Sequence, residues 1–287
     1  MTDNLVTVRV WGDFACFTRP EMKVERVSYP VMTPSAGRGI LEAIFWEPQI
    51  YYLIDAIRVV KRGRWFSFRR NEVINVISLD SAKTWMKAPE KVTPIQAGGG
   101  APDGTQRNML ALEDVEYLIT AEVRLTELSK RNNNLPKYLE EIRRRAQSGK
   151  CYHRPALGVR EFAADFEWEE DAQSALERRA TELDSDWCHY EEDLGLMLYD
   201  VFDVHERAEG FRWLSPEEIE VLQGQRKTES KKLSAAARRD AAKASQPHYE
   251  GRPVKPGAAF FHASVKESKL DCHPERVRFA RQAGVGQ

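Results

Sequence analysis

The chain has little that would hold a metal, a disulfide or a membrane. Its four cysteines, Cys16, Cys151, Cys188 and Cys272, are scattered and form no CxxC pair. That excludes the close spacing of a disulfide framework, so reduced thiols in a cytoplasmic protein are expected. Cys151-Tyr152-His153 and Asp271-Cys272-His273 each offer two ligand-type side chains, but neither has a second pair to complete a site. No apolar run approaches the roughly 20 residues of a membrane span, and the first residues lack the basic and apolar regions of a secretory signal. The motifs GxxxxGK[ST], HExxH, GxSxG and the EF-hand loop are missing, and Gly37-Arg38-Gly39 is too short for a dinucleotide fingerprint. No metal, cofactor or membrane is therefore expected. An excess of charge of one sign is lacking too: 43 Lys and Arg face 44 Asp and Glu, a formal net charge of −1. Phosphate affinity depends on where cations sit, and a neutral total can hide a basic face.

What is present is a globular composition, 42% hydrophobic and 30% charged over 287 residues, enough for one large domain with an appendage. Val6, Val8 and Val10 alternate with polar residues as in a half-buried strand, which Gly12 and Asp13 are expected to break. Thr18 to Tyr29 reads as a basic loop with Arg19, Lys23 and Arg26. Thr33-Pro34 is an N-cap followed by proline at the first helical position, and Ala36, Ile40, Leu41 and Ile44 form an apolar stripe that Pro48 should end. Ile50 to Val60 and Trp65 to Asn71 read as strands, followed by a long excursion through Gly98 to Gly100. Val115 to Leu125 is the clearest strand. After a polar loop at Arg131 to Asn134, a helix from about Pro136 to Gln147 presents Leu139, Ile142 and Ala146 on one face and ends at Gly149. Further strands are predicted at Arg160 to Phe166 and Gly195 to Val204.

That order suits an α+β, ferredoxin-like unit, the architecture of RRM domains. Residues 1–204 would form it. From 205 to 287 the texture changes. Ser215-Pro216-Glu217-Glu218 is a capping box, and Gln225 to Ala244 carries Leu233 as its one large apolar residue. Residues 206–255 therefore read as a charged insertion, before a strand at Ala259 to Val265 that completes a small C-terminal sheet.

Basic residues cluster in these segments: Arg19, Lys23, Arg26 and Arg38 near the start, Arg69 and Arg70 in the third strand, and Arg143, Arg144 and Arg145 with Arg160 later on. Phe14, Phe17, Tyr29, Phe45, Trp46, Phe66 and Phe68 are interleaved with them. Arginines and aromatics on a sheet can pair phosphates and stack unpaired bases. A solvated charged surface over an aromatic core accounts for the same composition.

The run GDFACFTRPEMKVERVSYPVMTPSAGRGILEAIFWEP, Gly12 to Pro48, resembles the N-terminal signature of the Cas-five (CasD) family of CRISPR subtype I-C. RRNEV at Arg69 to Val73, KYLEEIRRRAQSGKCYHRPALGVREFAADF at Lys137 to Phe166 and DLGLMLYDV at Asp193 to Val201 fit the same family. The strand near Phe260-Phe261 fits as well, and the 206–255 segment falls outside. The resemblance implies a RAMP-superfamily protein, with an RRM-like domain and a smaller C-terminal antiparallel sheet. It further implies an endoribonuclease that cuts precursor CRISPR RNA within its repeat without a metal. The ribose 2′-hydroxyl attacks the adjacent phosphate and leaves a 2′,3′-cyclic phosphate. The subunit would then hold the 5′ handle of the mature crRNA and cap the Cascade backbone, touching the Cas-seven subunit and the large subunit.

Family members place a catalytic Tyr late in the first helix and a Lys-His pair at the start of the later one. The matching positions here are Phe45, Lys137 and Tyr138, so one of three is kept. Phe45 cannot exchange a proton, and a phenol such as that of Tyr138 is a poor base at neutral pH. Lys137 would supply positive charge. Tyr51, Tyr52 and His153 are the substitutes that the sequence offers without placing them. Two functions follow: a nuclease that also caps the complex, or a crRNA-binding and capping subunit without cleavage. The pairs Lys231-Lys232 and Arg238-Arg239 read as a solvated tail, or as a contact for RNA, target DNA near the PAM or the large subunit.

Overall fold

A computed structural model of the chain describes residues 4–96, 98, 100–126, 134–183, 190–201, 248–249, 252–253 and 257–280. The ladder of alternating valines forms β1 (Leu5–Ala15), with Val6, Val8 and Val10 buried. The strand runs on through Gly12 and Asp13, where a break was expected, because Gly12 pairs with Val115. A Cβ at Gly12 would meet Leu157 Cδ1 at 2.7 Å and the Ala163 carbonyl oxygen at 2.8 Å. Glycine here lets a later loop close onto the strand; it does not end it.

The basic segment holds a 3-10 turn at Pro20–Met22 and a two-residue strand, β2 (Arg26–Val27). α1 (Pro34–Ile44) follows, capped by the Thr33 side chain, which accepts from the Ala36 amide. Its Ile40, Leu41 and Ile44 are buried, and a Cβ on Gly37 would touch Ile119 and Ile57 at 3.5 Å. The helix stops at Ile44, before Pro48. The Tyr152 amide bonds the Ala43 and Ile44 carbonyls, so tertiary partners terminate it.

β3 (Ile50–Lys61) and β4 (Arg64–Val73) come next, then α2 (Leu79–Lys87), which buries none of its residues. β5 (Gly104–Leu125) is twice the expected length. Its first half pairs with β4 in a long arm and its second with β1 and β3. Asp114, at φ 57°, marks the change of partners. α3 (Leu135–Gln147) precedes β6 (Asp165–Glu169), which shares only Asp165 and Phe166 with the strand predicted at Arg160 to Phe166; before them Ala163 makes an isolated bridge to Ala156. α4 (Ala172–Glu182), not foreseen, is capped by Asp171, and β7 spans Glu192–Asp200. Residues 202–204 of the strand predicted there lie outside the described residues. Within the expected insertion, β8 (His248–Tyr249) and β9 (Arg252–Pro253) pair with each other; the capping box and Gln225 to Ala244 lie outside the described residues. The last segment is a hairpin, β10 (Ala259–Lys266) and β11 (Lys269–Asp271), turning through Glu267 and Ser268 at positive φ.

The units β1-α1-β3 and β5-α3-β6 interlock in the sheet order β6-β1-β5-β3, the ferredoxin-like arrangement, all antiparallel. β7, β10 and β11 make a smaller antiparallel group that joins this sheet where β11 pairs with β3. Phe261, Val265 and Leu270 thereby enter the same core as Ile57 and Val59. Among the described residues no helix is long and apolar enough to cross a membrane.

Candidate nucleic-acid interface

Phe45 is the residue at which α1 gives way to extended backbone (φ −154°, ψ 126°), so it lies past the end of the helix that carries Arg38. It is nearly buried, at 6% exposure. Its ring lies 6.4 Å from that of Tyr138 and 5.3 Å from the Arg145 guanidinium. Tyr138 and Arg145 stand two turns apart on α3, on one face, and together flank Phe45. Arg145 is held by Glu141, whose Oε1 accepts from its Nε at 2.7 Å. Lys137, exposed in the first turn of α3, has no ion pair among the described residues. Of the three positions, Phe45 and Tyr138 thus meet, with Arg145 beside them, and Lys137 adjoins Tyr138 in the chain.

Beside this cluster lies a cleft of about 910 Å³ between α1, the basic segment after β1 and the loop 153–160. Its described lining includes Arg26, Arg38, Arg154 and Arg160 with His153, and no carboxylate. The loop is seated by Cys16, whose amide donates to the Leu157 carbonyl at 2.9 Å. Gly158, at φ 90°, sits so close that a Cβ would lie 2.1 Å from the Cys16 carbonyl oxygen. The amides of Tyr152 and His153 donate to Ala43 at 2.9 and 3.2 Å, tying this loop to the end of α1 next to Phe45.

The arginines differ in what they have left to offer. Arg38 donates to both Asp200 oxygens, at 2.7 and 3.0 Å, and to Glu42 at 2.6 Å. Burial works against its charge, but the two carboxylates outweigh burial and hold it protonated. It braces α1 against β7. Arg160 is exposed and makes no ion pair among the described residues; Arg154 is exposed and 3.8 Å from Asp165. Arg26 is half-buried, and its Nε is buried without a hydrogen-bond partner.

The remaining cations lie elsewhere. Arg19 rests over the Tyr29 ring at 4.4 Å, and Lys23 is exposed at the end of the 3-10 turn. Arg69 is exposed on the β4 arm, while Arg70 sits between Glu72 and Glu161 at 2.7 and 2.9 Å. Arg143 meets Glu170 and the Trp168 ring, and Arg144 is bound by Glu141 at 2.8 Å. Arg154 was not singled out from sequence, although it stands in the quoted block beside His153; only the tertiary seating of the loop reveals it. Of the substitutes, Tyr52 is fully buried and donates to the Phe45 carbonyl at 2.7 Å, with burial pushing its pKa well up. Tyr51 is buried beside Arg124. His153 alone of the three lines the cleft.

The pattern of the Cas5d family, described as "CRISPR-associated protein (Cas_Cas5)", matches residues 5–242. The chain belongs to the Cas5d family. The match continues past residue 204, so most of the segment expected to be an insertion lies within the Cas5d pattern. The CRISPR pre-crRNA endoribonuclease Cas5d of Mannheimia succiniciproducens is 42% identical over 205 residues, 70% of this chain and 87% of that protein. The protein of the same name from Thermus thermophilus is 45% identical over 159 residues, 55% of this chain and 62% of its own length. A crystal structure of a CRISPR-associated protein superposes with a TM-score of 0.50 at 18% identity, covering 93% of this chain and 90% of that one. This last likeness concerns the Cas5d fold alone.

Proposed function

We propose that this Cas5d chain is a cytoplasmic endoribonuclease that cuts precursor CRISPR RNA within its repeat. The ribose 2′-hydroxyl attacks the neighbouring phosphate without a metal and leaves a 2′,3′-cyclic phosphate. The subunit then keeps the 5′ handle of the mature crRNA and caps the Cascade backbone beside the Cas-seven and large subunits. Similarity to two proteins named as pre-crRNA endoribonucleases supports the activity.

The observation that carries the reading is the packing of Tyr138 and Arg145 against Phe45, with Lys137 next to Tyr138 in the first turn of α3, joined to the arginine-lined cleft at the last turn of α1. The reaction needs a proton acceptor for the 2′-hydroxyl, a proton donor for the departing 5′-oxygen and positive charge for the phosphorane. Lys137, with no ion pair among the described residues, supplies charge. Arg145 adds a second cation, tempered by Glu141. Phe45, nearly buried, positions Tyr138 and Arg145 at the end of α1. The cleft arginines hold the backbone on either side.

A repeat RNA carrying a single 2′-deoxy sugar at the cut position tests the chemistry. It should bind like the all-ribose repeat and stay whole. Cutting of the deoxy substrate would refute attack by the 2′-hydroxyl. The second reading, capping without cleavage, draws on the missing Phe45 hydroxyl and on the phenol of Tyr138 where relatives hold an imidazole. It predicts tight binding of the natural repeat with no cut.

A further inference from the structure

We infer that His153 is the general base of the cleavage, taking the proton of the attacking 2′-hydroxyl. The inference rests on the endoribonuclease reading above. Three observations converge on this residue. Its backbone is fixed: its amide donates to the Ala43 carbonyl at 3.2 Å, and its neighbour Tyr152 bonds the Ala43 and Ile44 carbonyls at 2.9 and 3.3 Å. Those are the two residues before Phe45, so the imidazole is carried to where the cluster and the cleft meet. Its ring is free of structural duty: it is exposed, its one ring neighbour is Tyr152 at 5.7 Å, and it makes no side-chain hydrogen bond among the described residues. And among the described cleft residues it carries the one imidazole, a side chain suited to taking up a proton.

The groups around it suit the role. Arg26, Arg154 and Arg160 line the same space and draw in phosphate; Arg38 and Glu42 of α1 are bound to each other. Tyr152 presents an aromatic edge. In the step itself the 2′-hydroxyl proton passes to His153 as the 2′-oxygen bonds to phosphorus. The P–O5′ bond breaks, and O5′ leaves as a hydroxyl with a proton from the Lys137 ammonium. Both side chains then recover their starting states by exchange with water. Phe45 has no proton to move and the Tyr52 hydroxyl is buried against a carbonyl, so His153 fills the role that those positions cannot.

The test is single-turnover cutting of repeat RNA by the full chain, its His153→Gln and His153→Ala variants and Lys137→Ala, with binding and melting temperature measured alongside. His153→Gln should cut on the order of 10²-fold more slowly or worse. It should bind RNA within about threefold of the parent and melt at the same temperature. The parent rate should climb across the imidazole range of pH, and that climb should vanish in His153→Gln. Added imidazole should restore part of the rate to His153→Ala. Near-normal cutting by His153→Gln, an unchanged pH profile, or a loss of cutting matched by a loss of binding would each overturn the inference. If the parent itself leaves RNA whole, the endoribonuclease reading fails and this inference with it. If the parent cuts, Lys137→Ala does not and His153→Gln does, only the role of His153 falls.

Discussion

Arg38 and Asp200 form a two-pronged ion pair, Nε to Oδ2 at 2.7 Å and Nη2 to Oδ1 at 3.0 Å, that ties the first helix to the end of β7. Both side chains are largely shielded, at 12% and 7% exposure. Removing one member leaves the other charge poorly solvated, which costs more than the intact pair contributes. Arg38→Ala should therefore lose about 3 kcal/mol in denaturant unfolding. Any fall in RNA affinity would then follow from a shifted helix. Unchanged stability with weaker binding would assign Arg38 to RNA after all.

Arg160 makes the complementary case. It is exposed in the same cleft and has no ion pair among the described residues. Arg160→Ala should leave the melting temperature alone and weaken RNA binding several-fold. The slope of log affinity against log salt should shrink by roughly one unit, as expected when one phosphate contact is lost. An unaltered salt slope would remove Arg160 from the interface.

Gly158 sets the floor of the cleft. At φ 90° an L side chain is strained, and its Cβ would lie 2.1 Å from the Cys16 carbonyl oxygen, which is backbone and cannot swing aside. Gly158→Ala should destabilise the chain by more than about 2 kcal/mol and depress RNA binding by unseating the 153–160 loop. A thermal melt and a binding titration on the same sample check both.

Glu116 links the sheet to α4, accepting from Arg179 at 2.7 and 2.8 Å and from Arg9 at 3.2 Å. Burial pushes its pKa up, but the hydrogen bonds and charges of Arg179 and Arg9 prevail and hold it below the usual carboxylate value. A carboxyl lowered in the folded state adds stability that is fully present above its unfolded pKa, near ~4.3, and is lost as pH falls through the folded value. Unfolding free energy should thus drop below pH ~4, and Glu116→Gln should be less stable at pH 7 with a shallower acid dependence. Equal acid slopes in the two proteins would contradict this.

The alternation of Val6, Val8 and Val10 and the Thr33-Pro34 cap made β1 and α1 legible, because local periodicity and capping are written in neighbouring residues. The first half of β5 was not: its residues from Gly104 to Asp114 alternate poorly and are extended because β4 pairs with them. α4 has a cap in Asp171 but buries only Ala172, Ala175 and Leu176, too thin a stripe to stand out. At the site, Phe45, Lys137 and Tyr138 came from the family pattern, and the meeting of Phe45 with Tyr138 and Arg145 required the packing of α1 on α3. Arg38 was readable as a cation but not as a partner of Asp200, 162 positions away. Arg154 and His153 gain their place from Gly158 fitting against Cys16, a contact between distant segments that no local pattern encodes.

We propose that this chain cuts its own repeat RNA with protein side chains and the ribose 2′-hydroxyl. Incubating the purified protein with that RNA in excess EDTA, and analysing the ends formed, tests it most directly. The account predicts one cut within the repeat, a 2′,3′-cyclic phosphate on the upstream fragment, and a rate on the order of 10²-fold lower or worse in Lys137→Ala at nearly unchanged affinity. Repeat RNA that is bound tightly yet recovered whole, or cutting that EDTA abolishes, would contradict it.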